Sequence, residues 1–161
     1  MDFLWSPWRS QYIGSAHREK GCVFCRLAEN PGAATDADNY VVHRGQHNFV
    51  VLNLYPYTSG HALIVPYAHL ALLSEAGKPV TDEMMDLAKQ IQKALEEVYR
   101  PNGYNLGMNL GAAAGAGVAE HFHLHVMPRW FGDSNFMTTV GETRVLPETL
   151  ADTYQKMKKY F

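Results

Sequence analysis

His121-Phe122-His123-Leu124-His125-Val126-Met127-Pro128-Arg129-Trp130 is the stretch whose reading decides the fold. Three histidines alternate with three apolar residues, and a period of two belongs to a β-strand. The pattern predicts a strand with Phe122, Leu124 and Val126 on a packed face and His121, His123 and His125 together on the other. Each imidazole brings two polar nitrogens that need partners when removed from water, so three neighbours of this kind point to a working face and not to core. A satisfied structural histidine cluster and a purely structural metal site are the competing readings.

Immediately upstream, residues 111–117 read Gly-Ala-Ala-Ala-Gly-Ala-Gly. With almost no side chains, the backbone amides of Gly115, Ala116 and Gly117 could approach a phosphate closely. The run is no dinucleotide-binding fingerprint, because it leads into a strand instead of opening a helix. Placed directly before the histidine strand, it would set backbone donors beside that strand's imidazole face.

The chain has 161 residues, 47% of them hydrophobic, which is enough for one domain with a substantial core. A formal net charge of −2 argues against a nucleic-acid coat, which needs a basic face, and leaves small phosphorylated ligands open. No apolar run approaches the roughly eighteen residues of a membrane span, and the amino terminus has no signal-peptide core, so a cytoplasmic protein without membrane contact is expected. Its two cysteines form Cys22-Val23-Phe24-Cys25 after Gly21. In a chain without an export signal that spacing favours a metal or redox role over a disulfide. A pair of small buried thiols remains open, whereas a thioredoxin-like pair lacks the βαβ pattern it needs.

Taken in order, residues 1–20 read as an amino-terminal arm whose Trp5, Trp8 and Tyr12 pack on a domain spanning 21–161. Residues 30–39, rich in Pro, Gly, Ala and Asp, predict a loop. Strands are expected over 40–44, 49–54 and 62–66 as an antiparallel meander, then a helix over 81–99 capped by Thr81, and a strand over 104–110 beside the histidine strand. A last helix begins near Pro147 with Leu150, Tyr154, Met157 and Phe161 on one face. His17, His43 and His47 are read as surface residues.

These residues together resemble the histidine triad family, in which histidines alternate with apolar residues along one strand into Pro-Arg. The likeness covers most of residues 22–136 and includes Asn53, Gly60-His61, Pro66, His69, the 111–117 loop and Arg129-Trp130-x-Gly132-Asp133-x-Asn135-Phe136. With Trp5, Pro7, Arg9, Tyr12 and Ile13 added, the chain is most similar to the diadenosine tetraphosphate phosphorylase branch. The resemblance implies an α+β fold with an antiparallel sheet, flanking helices, and a homodimer joining two sheets. It implies that His123 attacks the α-phosphate of an adenosine polyphosphate and that His125 assists. Asn53 would hold the ribose, and His61, Asn109, Gly115, Ala116, Gly117 and Trp130 would lie against the nucleotide. A structural zinc would sit on Cys22, Cys25, His69 and His121. The implied activity is phosphorolysis of diadenosine tetraphosphate through a nucleotidyl-histidine. Hydrolysis of dinucleoside polyphosphates or nucleoside phosphoramidates is the alternative, and a non-catalytic nucleotide-binding zinc protein is the alternative of another class. One departure stands out: Gly117 occupies the loop position, four before His121, where a hydroxyl-bearing residue is expected.

Overall fold

The computed structural model describes residues 21–29, 31–141, 143 and 145–161, so the predicted arm over 1–20 lies outside the described residues. Five strands form one antiparallel sheet: β1 (Val41–Arg44), β2 (Asn48–Leu52), β3 (Ala62–Pro66), β4 (Gly103–Gly107) and β5 (Leu124–Arg129), in the order β1-β2-β3-β5-β4. The expected meander is β1 to β3. In β2 and β3 every residue is buried, because helices cover both sides of the sheet. On one side Val42, Val50, Leu52, Ala62, Ile64, Phe122, Leu124 and Val126 pack under α3 (Lys78–Tyr99) and α5 (Leu150–Met157). On the other, Val41, Phe49, Val51, Leu63 and Val65 pack under Phe24 of α1 (Val23–Glu29).

The long helix α3 forms because Met84, Leu87, Ala88, Ile91, Ala94 and Leu95 recur at helical spacing and are all buried. Each large apolar side chain among them stabilises the fold by about 1.5–3 kcal/mol relative to exposure. The helix starts earlier than the sequence predicts. Gly77 is its N-cap, Pro79 lies in its first turn, and the Thr81 hydroxyl donates back to the Lys78 carbonyl at 3.0 Å. Glu83 meanwhile reaches across to the β1–β2 turn and accepts from the amides of Gln46, His47 and Asn48 at 2.7, 2.8 and 2.7 Å and from Asn48 Nδ2 at 2.8 Å. Burial pushes its carboxyl up, but these four donors outweigh that and hold it below the usual glutamate range.

The predicted loop over 30–39 contains a helix, α2 (Ala33–Asp38), in spite of its turn-rich composition. Tertiary contact makes the difference: Asp36 takes a paired hydrogen bond from Arg44 of β1, and Arg44 Nη2 also donates to the Leu27 carbonyl of α1 at 2.7 Å. The same kind of contact makes His43 and His47 half-buried and not surface residues, His43 resting against the Phe161 ring. The strand after α3 ends at Gly107, short of the predicted Leu110, and its exposed last three residues lie at the sheet edge. The last helix begins at Leu150, after the forecast start near Pro147, because Thr149 is its N-cap in a capping box with Asp152. A short helix, α4 (Phe136–Thr139), lies between. No helix among the described residues is long and apolar enough to cross a membrane.

Candidate active site

The regular strand β5 begins at Leu124, so His121 and His123 stand on the extended segment entering it and His125 on the strand itself. The segment is pinned where it enters, the Phe122 amide donating to the Leu70 carbonyl at 2.7 Å. As the alternation requires, Phe122, Leu124 and Val126 join the core under α3 while the imidazoles take the other side. That side is not open, however. His121, His123 and His125 are only 0%, 6% and 8% exposed, and His61 is fully buried beside them. Burial is tolerated because each ring has a defined partner, and those partners fix the tautomers.

Three carbonyl or amide contacts decide where the protons sit. His123 Nδ1 lies 3.0 Å from the His121 carbonyl, which can only accept, so Nδ1 carries the proton and Nε2 keeps its lone pair. His121 Nε2 lies 2.9 Å from the Pro66 carbonyl, so its bare nitrogen is Nδ1. The Tyr57 amide, which can only donate, points at His61 Nδ1 at 3.1 Å. His61 Nε2–H therefore donates to His125 Nδ1 at 2.9 Å, and neutral His125 holds its proton on Nε2. Burial lowers the proton affinity of both His121 and His123, which keeps His123 neutral and nucleophilic.

Behind His121 lies a second cluster. Cys22 immediately precedes α1 and Cys25 lies in its first turn, His69 comes from the segment after β3, and His121 offers its bare Nδ1. Cys22 Sγ and Cys25 Sγ lie 3.3 and 3.7 Å from His121 Nδ1, Cys25 Sγ lies 3.2 Å from His69 Nδ1, and the four ligand atoms fall within 4.8 Å of one another. A tetrahedral zinc with bonds of roughly 2.0–2.3 Å spaces its ligand atoms roughly 3.3–3.8 Å apart, so the donor set fits. Burial and the neighbouring Cys22 push the Cys25 thiol up to about 11, a shift that a cation would reverse.

A family model described as the HIT domain matches residues 34–132. The chain belongs to the HIT family. Among HIT relatives, an AP-4-A phosphorylase of Mycobacterium tuberculosis is 38% identical over 154 residues, covering 93% of this chain and 79% of its own. An adenylylsulfatase of Arabidopsis thaliana is 30% identical over 119 residues, covering 73% of this chain and 56% of its own. A solved zinc-bound histidine triad family protein from Mycobacterium smegmatis superposes with a TM-score of 0.68 at 27% identity, over 87% of this chain and 92% of the other. The chain is an enzyme of this family.

The structure places the remaining sequence-predicted HIT residues unevenly. Asn53 adjoins the histidines, its Nδ2 3.3 Å from His61 Nδ1, but its oxygen accepts from the Tyr55 amide at 3.0 Å, so it also starts the turn. Gly115 and Ala116 spend their amides inside the loop, on the Ala112 carbonyl at 2.9 Å and the Gly111 carbonyl at 3.4 Å. Gly117 and Asn109 are half-buried nearby in sequence. Trp130 packs edge-on against Tyr99 of α3, with ring centroids 6.2 Å apart, on the side of the sheet opposite the imidazoles. Arg129 is bound to Asp133 and Asn105. Two contacts escape sequence reasoning. Tyr57 lies nearly parallel to His125 and against His61, and Phe24 touches both His121 and His123. The signal for Phe24 was its position between the two cysteines.

Proposed function

We propose that the chain is a nucleotidyltransferase that phosphorolyses diadenosine tetraphosphate through a nucleotidyl-His123 intermediate. The observation that carries this reading is the His123 Nδ1–H···O=C bond to His121, which leaves a neutral, buried ring with a bare Nε2. Likeness to the mycobacterial AP-4-A phosphorylase supplies the substrate class. In the first step His123 Nε2 bonds to the α-phosphorus while the bridging P–O bond breaks and ATP leaves, the His125 Nε2–H donating to the departing oxygen. In the second, an oxygen of inorganic phosphate attacks the same phosphorus, the P–N bond breaks, and ADP leaves. The reading includes Asn53 on the ribose, His61, Asn109 and Gly117 toward the nucleotide, and one cytoplasmic domain over 21–161; Gly115 and Ala116, whose amides are spent within the loop, and Trp130, on the opposite side of the sheet, are left out of it. The exposed edge strand β4 supports a homodimer joining two sheets.

Cys22, Cys25, His69 and His121 would hold a zinc ion, whose chemistry is to tie three segments together. With all four positions filled by protein, it has no place for substrate. The decisive experiment incubates the protein with diadenosine tetraphosphate and labelled phosphate. Label entering ADP, with ATP as co-product and acid-labile nucleotide on a His123-containing peptide, is the expected result. AMP and ATP at a rate indifferent to phosphate would make the protein a hydrolase. His123→Asn should lower turnover by about three orders of magnitude or more and leave nucleotide binding intact.

A further inference from the structure

Phe24 stands between the two thiols of the metal cluster and is 6% exposed. Its ring is tilted against His123, with centroids 4.9 Å apart, and edge-on to His121 at 5.4 Å. One aromatic side chain thus spans from the metal-ligand set to the ring with the bare Nε2. A second link runs through His121, whose side chain belongs to the cluster and whose carbonyl accepts the hydrogen bond from His123 Nδ1–H.

We infer that Phe24 is a positioning residue for the nucleophile, and that the cysteine turn of α1 exists as much to seat Phe24 on His123 as to bind a cation. A ring held by one hydrogen bond at Nδ1 can still swing about its Cα–Cβ bond; an aromatic wall against its face removes that freedom. The wall is itself fixed from two ends. At the start of α1 the thiols converge with His69 and His121, and toward its end Arg44 holds the Leu27 carbonyl and Asp36. Phe24 also belongs to the buried cluster of Val41, Phe49, Val51, Leu63 and Val65, so moving it away from His123 disturbs that cluster. Because a displacement of about 1 Å at a reacting group costs up to about a hundredfold in rate, seating the ring is worth a dedicated residue.

The inference rests on the proposed covalent chemistry for its kinetic arm alone. Phe24→Leu keeps most of the apolar bulk and lacks the flat face; Phe24→Ala removes both. Each variant is purified with zinc, its metal content is measured, and the His123 ring is observed by nitrogen-15 NMR without substrate. In parallel, the rate of nucleotidyl-enzyme formation is followed in a rapid acid quench with diadenosine tetraphosphate. The expected result is full zinc content in Phe24→Leu, loss of the single Nδ1–H signal set of His123, and nucleotidylation slowed about tenfold, with a larger loss in Phe24→Ala. Wild-type His123 signals together with wild-type nucleotidylation in zinc-loaded Phe24→Leu would overturn it. If the NMR signature changes as expected while no protein, wild type included, forms a nucleotidyl-enzyme, the positioning role stands and the proposed function falls.

Discussion

A single backbone amide decides which nitrogen of His125 carries the proton. The Tyr57 N–H occupies His61 Nδ1, His61 Nε2–H then occupies His125 Nδ1, and the donor left on His125 is Nε2–H. His61→Phe deletes the middle link while keeping a ring in a fully buried position. His125 then samples both tautomers, and nucleotidyl transfer should slow by about ten- to a hundredfold, most steeply for substrates with poor leaving groups. His61→Gln, which can donate from its amide, should recover part of the loss. Equal rates in the wild type and His61→Phe would remove His61 from the mechanism. That His121, His123 and His125 share one side of the sheet was legible in sequence, because period-two spacing puts them there. The proton positions were not, since they depend on the Tyr57 amide and the Pro66 and His121 carbonyls, and backbone groups carry no sequence signature.

At the scale of elements, the turn between β1 and β2 depends on a side chain from α3. Glu83 satisfies three successive amides and the buried Asn48 side chain, so Glu83→Ala strands the donors of fully buried Asn48. That should cost about 1–3 kcal/mol in denaturant unfolding, with nucleotide turnover per folded molecule unchanged. The carboxyl's folded proton affinity lies below its unfolded one, so its contribution is fully present above the ordinary glutamate range near pH 4.5 and is lost as pH falls through the lower folded value. Wild type and Glu83→Ala should therefore converge in stability toward acid and diverge toward neutral pH. A gap that stays constant with pH would mean the carboxylate charge is not what matters. Here the sequence misleads for a stated reason. The sequence reads Thr81 as the helix cap, whereas the helix begins at Lys78 and the Glu83 carboxylate is spent on another element. The helix over residues 33–38 was likewise hidden, because what holds it is Arg44 from a later strand.

At the scale of the whole molecule, the two sides of the sheet are stabilised by different means. Under α3 and α5 an extensive apolar core closes the structure, whereas under the short α1 only Phe24 and a few neighbours do so. α1 has seven residues, too few to persist as a helix without tertiary support. Its attachment therefore rests on the Cys22, Cys25, His69 and His121 set at one end and Arg44 at the other. Metal binding at such a set is stabilisation of the folded state, because the unfolded chain has no preformed site. Protein purified without chelator should carry one zinc per chain. Removing it should lower the melting temperature by several degrees, at about 2–4 °C per kcal/mol for a chain of this length, and should raise amide exchange in α1 well before α3 responds. Cys22→Ser should reproduce the metal-free protein. Cys25→Ser should do the same, and restored zinc should rescue neither variant. Glu83→Ala should add to metal loss nearly independently, since the turn it holds shares no partner with the four ligands. An unfolding curve indifferent to chelation, or α1 amides as protected in the metal-free protein as in the loaded one, would show that Arg44 and the apolar contacts alone hold α1 to the sheet.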